Sequence, residues 1–438
     1  MNKTEKTNKK LFALFFSALF LTALSLPGEA ALPFPNPFAS PQRTTPSPPR
    51  EETQKTTRST ARRAQPKTPS TFASGAGTQK SPYLIRTTAQ LAAFATSVSN
   101  GNAYGGGYIR LAADVDLAGG LWRPIGSSAR PFKGNFDGAG FVVWNLHGRA
   151  GFFGAIEGAA ITRLSIQHAD IETESDAGVI TAFMKNSTLK DCAVSGSVRG
   201  GVNTGGLVGS ALRGLIEGCS FSGSVRGGNS VGGLVGTMDQ AEVRVGSVSA
   251  GRVEGSDDVG GVVGSILGGN LLLCTARSLT VQGGENIGGL VGNVIDSGYV
   301  SKSSFDGQVM GSEGVGGLAG RIAAGGLTGS SVSGVVQGAA AVGGIVGELI
   351  EGEALNCVSR ASVVGISGVG GVVGHLSGGG KVDGSANQGT VKGGEMVGGL
   401  VGNLAHGSVS ASKNSGGVIG YAQTGKQVGA MGEGSVSE

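Results

Sequence analysis

The apolar residues of this chain follow no helical stripe over most of its length. From about Ala150 onward, pairs such as Leu207-Val208, Leu234-Val235, Val262-Val263 and Leu290-Val291 sit between glycines and return at a fixed interval. The unit Gly-Gly-apolar-apolar-Gly, or a close variant, begins at Gly205, Gly232, Gly260, Gly288, Gly316, Gly343, Gly370 and Gly398, at spacings of 27, 28, 28, 28, 27, 27 and 28 residues. Degenerate copies, Ala177-Gly178-Val179-Ile180 and Ala150-Gly151-Phe152-Phe153-Gly154, continue the phase backwards at 28 and 27 residues. A second phased position falls 14 or 15 residues after each start, held by Cys192, Cys219, Cys274 and Cys357 or by Ser303, Ser330 and Ser385. A third short segment follows it, as in Gly196-Ser197-Val198-Arg199 and Gly223-Ser224-Val225-Arg226.

Three short β segments per repeat, joined by Gly, Ser and Asn turns with no helical period between them, predict one coil of a parallel β-solenoid. One coil cannot fold alone, because its few buried aliphatics return less than the ordering of its backbone costs; stability must come from stacking on neighbours. The expected fold is all-β, a right-handed, three-sided parallel β-helix of about 28 residues per coil with a short N-terminal capping helix. The repeat itself leaves the hand open. Coils stacked about 4.8 Å apart make a rod.

The glycines of the repeat are read as structural, placed where the chain turns a corner at positive φ or where coils approach too closely for a β-carbon. They are Gly205, Gly206 and Gly209; Gly232, Gly233 and Gly236; Gly260, Gly261 and Gly264; Gly288, Gly289 and Gly292; Gly316, Gly317 and Gly320; Gly343, Gly344 and Gly347; Gly370, Gly371 and Gly374; and Gly398, Gly399 and Gly402. A phosphate cradle would need a strand-to-helix context that the repeat lacks.

Upstream, the pattern changes twice. Lys3, Lys6, Lys9 and Lys10 precede an apolar run from Leu11 to Leu26 that closes on Gly28 and Ala30, which reads as a signal peptide over 1–30. Residues 31–80 are rich in Pro, Thr, Ser and Arg, and 11 of the 13 prolines fall at or before Pro82, so a disordered linker is expected there. Order is expected from residue 81. Thr87 and Gln90 stand in capping-box spacing before Leu91, Phe94, Ala95 and Val98, predicting a helix over about Thr88 to Ser99. Strands are expected around Tyr108 to Leu111, Val115 to Leu117, Phe132 to Phe136 and Phe141 to Leu146. Eleven of the 23 aromatics lie between Tyr83 and Phe153, suiting 81–149 to a cap over the open end of the solenoid that occupies 150–420. Gly416-Gly417-Val418-Ile419-Gly420 comes only 18 residues after its predecessor, so 421–438 is expected to be a tail, with a weak end open to end-to-end self-association.

Composition then limits function. The formal charge of +4 comes from the N-terminus: residues 1–80 carry 12 Lys and Arg against 4 Asp and Glu, leaving 22 basic against 26 acidic residues beyond. A folded nucleic-acid footprint is not expected on that balance. The histidines, His147, His168, His375 and His406, show no zinc-protease spacing. Asp114, Asp116 and Asp137, and the pair Asp257 and Asp258, read as strand-end or turn carboxylates rather than a metal site. Asp257, Glu285, Glu313 and Glu395 share a phase before the Gly-Gly, which suits a repeated solvated edge better than an acid/base pair. The cysteines fit a small-residue Cys/Ser ladder in the interior, with Cys192 and Cys219 alone close enough to bond. Trp122 and Trp144 are the two tryptophans and the candidate ligand contacts, as a sugar-stacking platform, against packing in the cap. No catalytic, metal-ligating or cofactor-binding residue is assigned, and no cofactor is expected.

Copies such as Gly205-Gly-Leu-Val-Gly209, Gly232-Gly-Leu-Val-Gly236 and Gly398-Gly-Leu-Val-Gly402 resemble the GLUG-motif repeat proteins. The segments Leu111 to Leu117, Trp122-Arg-Pro-Ile-Gly126 and Pro131-Phe-Lys-Gly-Asn-Phe-Asp-Gly138 are similar to the stretch that precedes such repeats in bacterial secreted and surface proteins, so the resemblance covers about residues 81–420. Some relatives, the IgA-specific metallopeptidases among them, carry this module beside a zinc protease domain, which is missing from these residues. The resemblance implies a secreted or cell-surface β-helical module for adhesion or substrate engagement, and supplies no catalytic residues. The expected function is a non-enzymatic adhesion, surface-binding or spacer module, its partner unknown, with a glycan or a host or extracellular-matrix protein as the candidate classes. The alternative is a substrate-docking module of an extracellular peptidase or carbohydrate-active enzyme system.

Overall fold

A computed structural model describes residues 71–437 apart from Gly119. The expected signal peptide and residues 31–70 of the expected linker lie outside the described residues. The rest is a parallel β-solenoid of about 13 turns with a single helix among the described residues.

Three sheets, of 22, 16 and 9 strands, run along the solenoid; the nine-stranded one starts at Thr204, and the coils from there up to but not including the last contribute to all three. The coil around Gly260 shows the plan. A short strand, Asp257–Gly260, lies in the nine-stranded sheet; Val263–Leu272 lies in the 22-stranded sheet; Thr275–Gln282 lies in the 16-stranded sheet. Val259, Val262, Val263, Ile266, Leu271, Cys274, Ala276, Leu279 and Val281 point inward and are at most 2% exposed. Every named strand pairing is parallel; the antiparallel contacts are the single bridges of Ser74 with Leu84 and of Ser127 with Arg130. The first motif glycine of each coil stacks in register on the next, Gly205 on Gly232, Gly260, Gly288, Gly316, Gly343, Gly370, Gly398 and then Gly425.

That register corrects the sequence reading in three places. Ala177 bridges Thr204, so Gly178 rather than Ala177 holds the motif phase. The expected tail is a further coil: Ala422–Gly425, Val428–Met431 and Ser435–Val436 pair in register with the coil before. Gly425 lies one full period after Gly398, and Val418 pairs with Val391 in the third-strand position, so Gly416 to Gly420 only mimics a motif start. At the other end, Ser74 bridges Leu84 and the Phe72 ring stacks on Tyr83 at 4.3 Å and 8°, so the cap reaches back into the expected linker. An apolar ring gives those residues something to bury, which the Pro- and Ser-rich stretch before them lacks.

The motif glycines answer to close approach and not to positive φ. None of the 24 has a left-handed backbone. The left-handed corner is two residues earlier, at Ser230, Asp258, Asn286, Gly314, Ala341, Gly368 and Met396, with φ between 49° and 62°. Asp, Asn and Gly are the residues that reach this region most cheaply. A second left-handed corner precedes the Cys/Ser position, as at Asp191, Lys302 and Asn356.

The helix α1, Thr88–Ser99, has the expected bounds, with Thr87 as N-cap accepting from the Gln90 N–H. Leu91, Phe94, Ala95 and Val98 are buried. Phe94 packs on Phe132 and Phe136, with ring centroids 5.7 and 6.3 Å away, so the helix closes over the aromatic interior of the first coils.

Inside the rod, the Cys/Ser ladder forms as expected. Ser303 Oγ donates to its own Ser301 carbonyl at 2.8 Å and accepts from the Cys274 N–H of the preceding coil at 3.0 Å; Ser330 and Ser385 repeat the arrangement. The position therefore satisfies corner backbone groups that the sheets leave out. Ser303→Ala should cost about 1–3 kcal/mol, since it strands the buried Cys274 N–H, whereas Ser303→Cys should cost less because other coils already use cysteine there. Denaturant unfolding of the two variants checks the order.

Candidate functional site

The outward face of the 16-stranded sheet brings arginines from successive coils together around one carboxylate. Its strands alternate, as Ser197-Val198-Arg199 and Ser224-Val225-Arg226 do: Val198 and Val225 are buried, while Arg199 and Arg226 are exposed. Register then turns a sequence repeat into a surface. Arg199 pairs with Arg226, Arg226 with Glu254, Ser224 with Arg252, and Ser249 with Arg277. Four arginines thus stand on one face over four consecutive coils, with Glu254 among them.

Glu254 organises two of them. Arg226 binds it through Nε at 2.8 Å and through a second guanidinium nitrogen, and Arg252 binds its other oxygen. The carboxylate is 17% exposed and the two guanidiniums 64% and 53%. Burial alone would raise the Glu254 carboxyl, but the hydrogen bonds and charges of Arg226 and Arg252 outweigh it and hold the group below the usual carboxylate range. Arg199 and Arg277 have no carboxylate partner within salt-bridge distance among the described residues. Two adjoining depressions, of about 270 and about 390 Å³, share Arg226 and Glu254. The first is lined by Ser197, Arg199, Ser224 and Arg252, and the second by Gly227, Gly255, Ser256, Gln282 and Gly283. Together they make a shallow groove with a floor of serine and glycine.

The tryptophans separate. Trp122 is 8% exposed, donates Nε1–H to the Phe152 carbonyl at 3.0 Å and stacks on the Phe152 ring at 5.6 Å, which leaves it no free face for a ligand. Trp144 lies partly exposed on the 16-stranded sheet, 5.5 Å from the His168 ring. Beside it, Asp170 joins His147 Nδ1 at 3.2 Å and Ser197 Oγ at 2.7 Å. Asp170 stands between the other two, so the serine has no imidazole base and the trio has no nucleophile geometry.

The remaining candidates are accounted for within the fold. Asp114 accepts from the Val142 N–H, Asp116 from Ala118 and Asn145, and Asp137 from Ala139 while pairing with Arg110 and Arg163. Asp258 accepts from Ser265, Asn286 and Asn293. Asp257, Glu285 and Glu313 stack in register as first residues of their short strands, and Glu395 is separated from them by Ala340 and Ser367. His375 Nδ1 meets Asn403 at 3.1 Å. Among the described residues no three His, Cys, Asp or Glu side chains gather at metal-ligating distance.

The four cysteines are free and buried. Burial pushes the Cys274 thiol up to about 12 and the Cys357 thiol up to about 11, while the Cys192 sulfur and burial together push Cys219 far above the ordinary thiol range. Neutral thiols are poor nucleophiles. The hydrogen bond with Cys219 lowers the Cys192 thiol instead, so there it is burial that bars the reagent. Iodoacetamide at pH 8 should label none of the four in the folded protein and all four in denaturant, and mass spectrometry of the intact chain reads the difference.

Comparison with known proteins adds the following. The GLUG motif matches residues 200–226. Halomucin of Haloquadratum walsbyi is 30% identical over 156 residues, which are 31% of this chain and 2% of halomucin. A protein of Evansella cellulosilytica, provisionally named a Gly-rich membrane protein, is 33% identical over 133 residues, 27% of this chain and 15% of that one. The chain therefore spans a small part of the curated relatives it matches. Among solved structures, a chain from Bacteroides ovatus provisionally described as an immunoglobulin A1 protease aligns over 84% of this chain and 87% of its own, at 16% identity and a TM-score of 0.33.

Proposed function

We propose that this GLUG-bearing β-solenoid is a non-enzymatic module of the cell surface or its surroundings, with residues 1–30 directing export, that spaces and presents a binding face to a polymer or protein partner. The observation that carries the reading is the outward face of the 16-stranded sheet, where register sets Arg199, Arg226, Arg252 with Glu254, and Arg277 on four consecutive coils. Such a face grows by one row per coil, and so suits a ligand that is itself extended and repetitive. Trp144, on the same sheet, supplies an aromatic surface toward the N-terminal end. The names of the two relatives, halomucin and a Gly-rich membrane protein, support an envelope address.

The test is binding of the purified chain to an array of glycans and extracellular-matrix proteins, with a hydrolysis assay on the same array. Saturable binding without turnover is expected. Specific depolymerisation of any array member would overturn the reading in favour of an enzyme, and binding to none would leave only a spacer.

A further inference from the structure

Resting on the surface-module reading, we propose that the groove of the 16-stranded sheet and the face beside it bind a linear acidic polysaccharide carrying one carboxylate per sugar, with Arg199 in the groove and Arg277, outside its lining on the next coil, as the anchors without an ion pair. Charge sets the sign of the ligand: one carboxylate, Glu254, stands among four guanidiniums, and the acidic residues in register with the end arginines, Glu172 beside Arg199 and Asp306 beside Arg277, mark where the strip stops. No ion pair ties either of those acids to its neighbouring arginine among the described residues, and Asp306 already accepts from Ser333 Oγ at 2.7 Å. Glu254 occupies Arg226 Nε and one other nitrogen of that guanidinium and a single nitrogen of Arg252, so both groups keep outward N–H donors in fixed positions. An oriented guanidinium fork matches a carboxylate in two-point geometry.

Shape and spacing choose among anions. Coils repeat about every 4.8 Å along the rod, but the register carries the arginines obliquely across it, with Arg199 and Arg226 in one column, Arg252 two residues to the side and Arg277 three residues further. An extended chain lying along that diagonal, with an anion on every sugar, brings a carboxylate near each of them. The serines and backbone of the floor offer hydroxyl-scale hydrogen bonding, while the lining residues include no aromatic ring on which a base could stack. Single-stranded nucleic acid normally needs such rings.

The experiment uses the full chain and polygalacturonate, with dextran and single-stranded DNA as the other arms, by biolayer interferometry at low and high salt. Saturable, salt-sensitive binding to polygalacturonate and none to dextran is expected. The Arg199→Ser/Arg277→Ser double variant, which touches no ion pair, should bind at least tenfold more weakly, and Arg213→Ser, exposed in the bend between two strands of the 22-stranded sheet, should bind like the parent. Equal losses in the two variants, tighter binding to DNA with the same arginine dependence, or no binding to polygalacturonate would each overturn the proposal. Binding to neutral glycans or matrix proteins without polygalacturonate would sink this inference and leave the surface-module reading standing.

Discussion

Gly288→Ala should unfold the solenoid locally, at a cost of about 3 kcal/mol or more. A β-carbon there would lie 1.9 Å from the Val291 carbonyl oxygen, 2.7 Å from the Gly320 nitrogen and 2.8 Å from the Ala319 α-carbon. All three are backbone atoms held by the sheets, so no side chain can swing aside. The other glycines of the same motif are equally confined: a β-carbon on Gly289 would sit 2.2 Å from the Gly317 oxygen, and one on Gly292 2.3 Å from the Asp258 carbonyl carbon. The motif is the place where the chain folds tightly on itself and on the coils to either side. Gly417→Ala is the control, because nothing lies within 4 Å of its β-carbon. Denaturant unfolding followed by circular dichroism should show a large loss for the first and about ±0.5 kcal/mol for the second. Equal losses would remove close approach as the reason for the repeat.

Phe136→Ala should cost about 3–5 kcal/mol, in the range of buried aromatic truncations. The ring is fully buried and joins Phe94 of α1 to the coils below, meeting Phe152 at 5.7 Å and Phe153 at 5.5 Å in edge-to-face contacts. Its loss opens a cavity at the junction of helix and solenoid. Because each coil depends on its neighbours, the damage should spread from that end. Hydrogen exchange should accelerate first in the strands between Tyr83 and Glu172, while those between Ala340 and Leu404 keep their protection. Uniform loss along the rod would mean that the coils unfold as one unit.

Much of this architecture was legible because a 27–28-residue phase is strict and each coil buries the same positions. The helix bounds, the Cys/Ser ladder and the stacking of the Gly-Gly units all follow from spacing. Register at the ends was not legible. Ala177-Gly178 can be placed in two ways one residue apart, and Gly416 to Gly420 has the letters of the motif without its phase; only backbone pairing decides between letters and phase. The purpose of the motif glycines was half legible, since both positive φ and close approach call for glycine, and the left-handed corner falls on Asp258 and Asn286 instead. The arginine face was hidden for a different reason. Gly-Ser-Val-Arg recurs in two repeats, but Arg252 is offset by two residues from Arg226, and the bulges beside Gly223 and Arg277 shift the rows. Sequence spacing alone does not bring those four side chains together.

The parallel stacking has a mechanical consequence. Strands run across the rod, so the hydrogen bonds between coils lie along its length, and tension applied at the two ends loads them one row at a time rather than in shear. A coil that detaches releases 27 or 28 residues, about 90 Å of extended chain, before the next row is loaded. The molecule would then yield as a series of small extensions, which lets a tether lengthen under drag without parting.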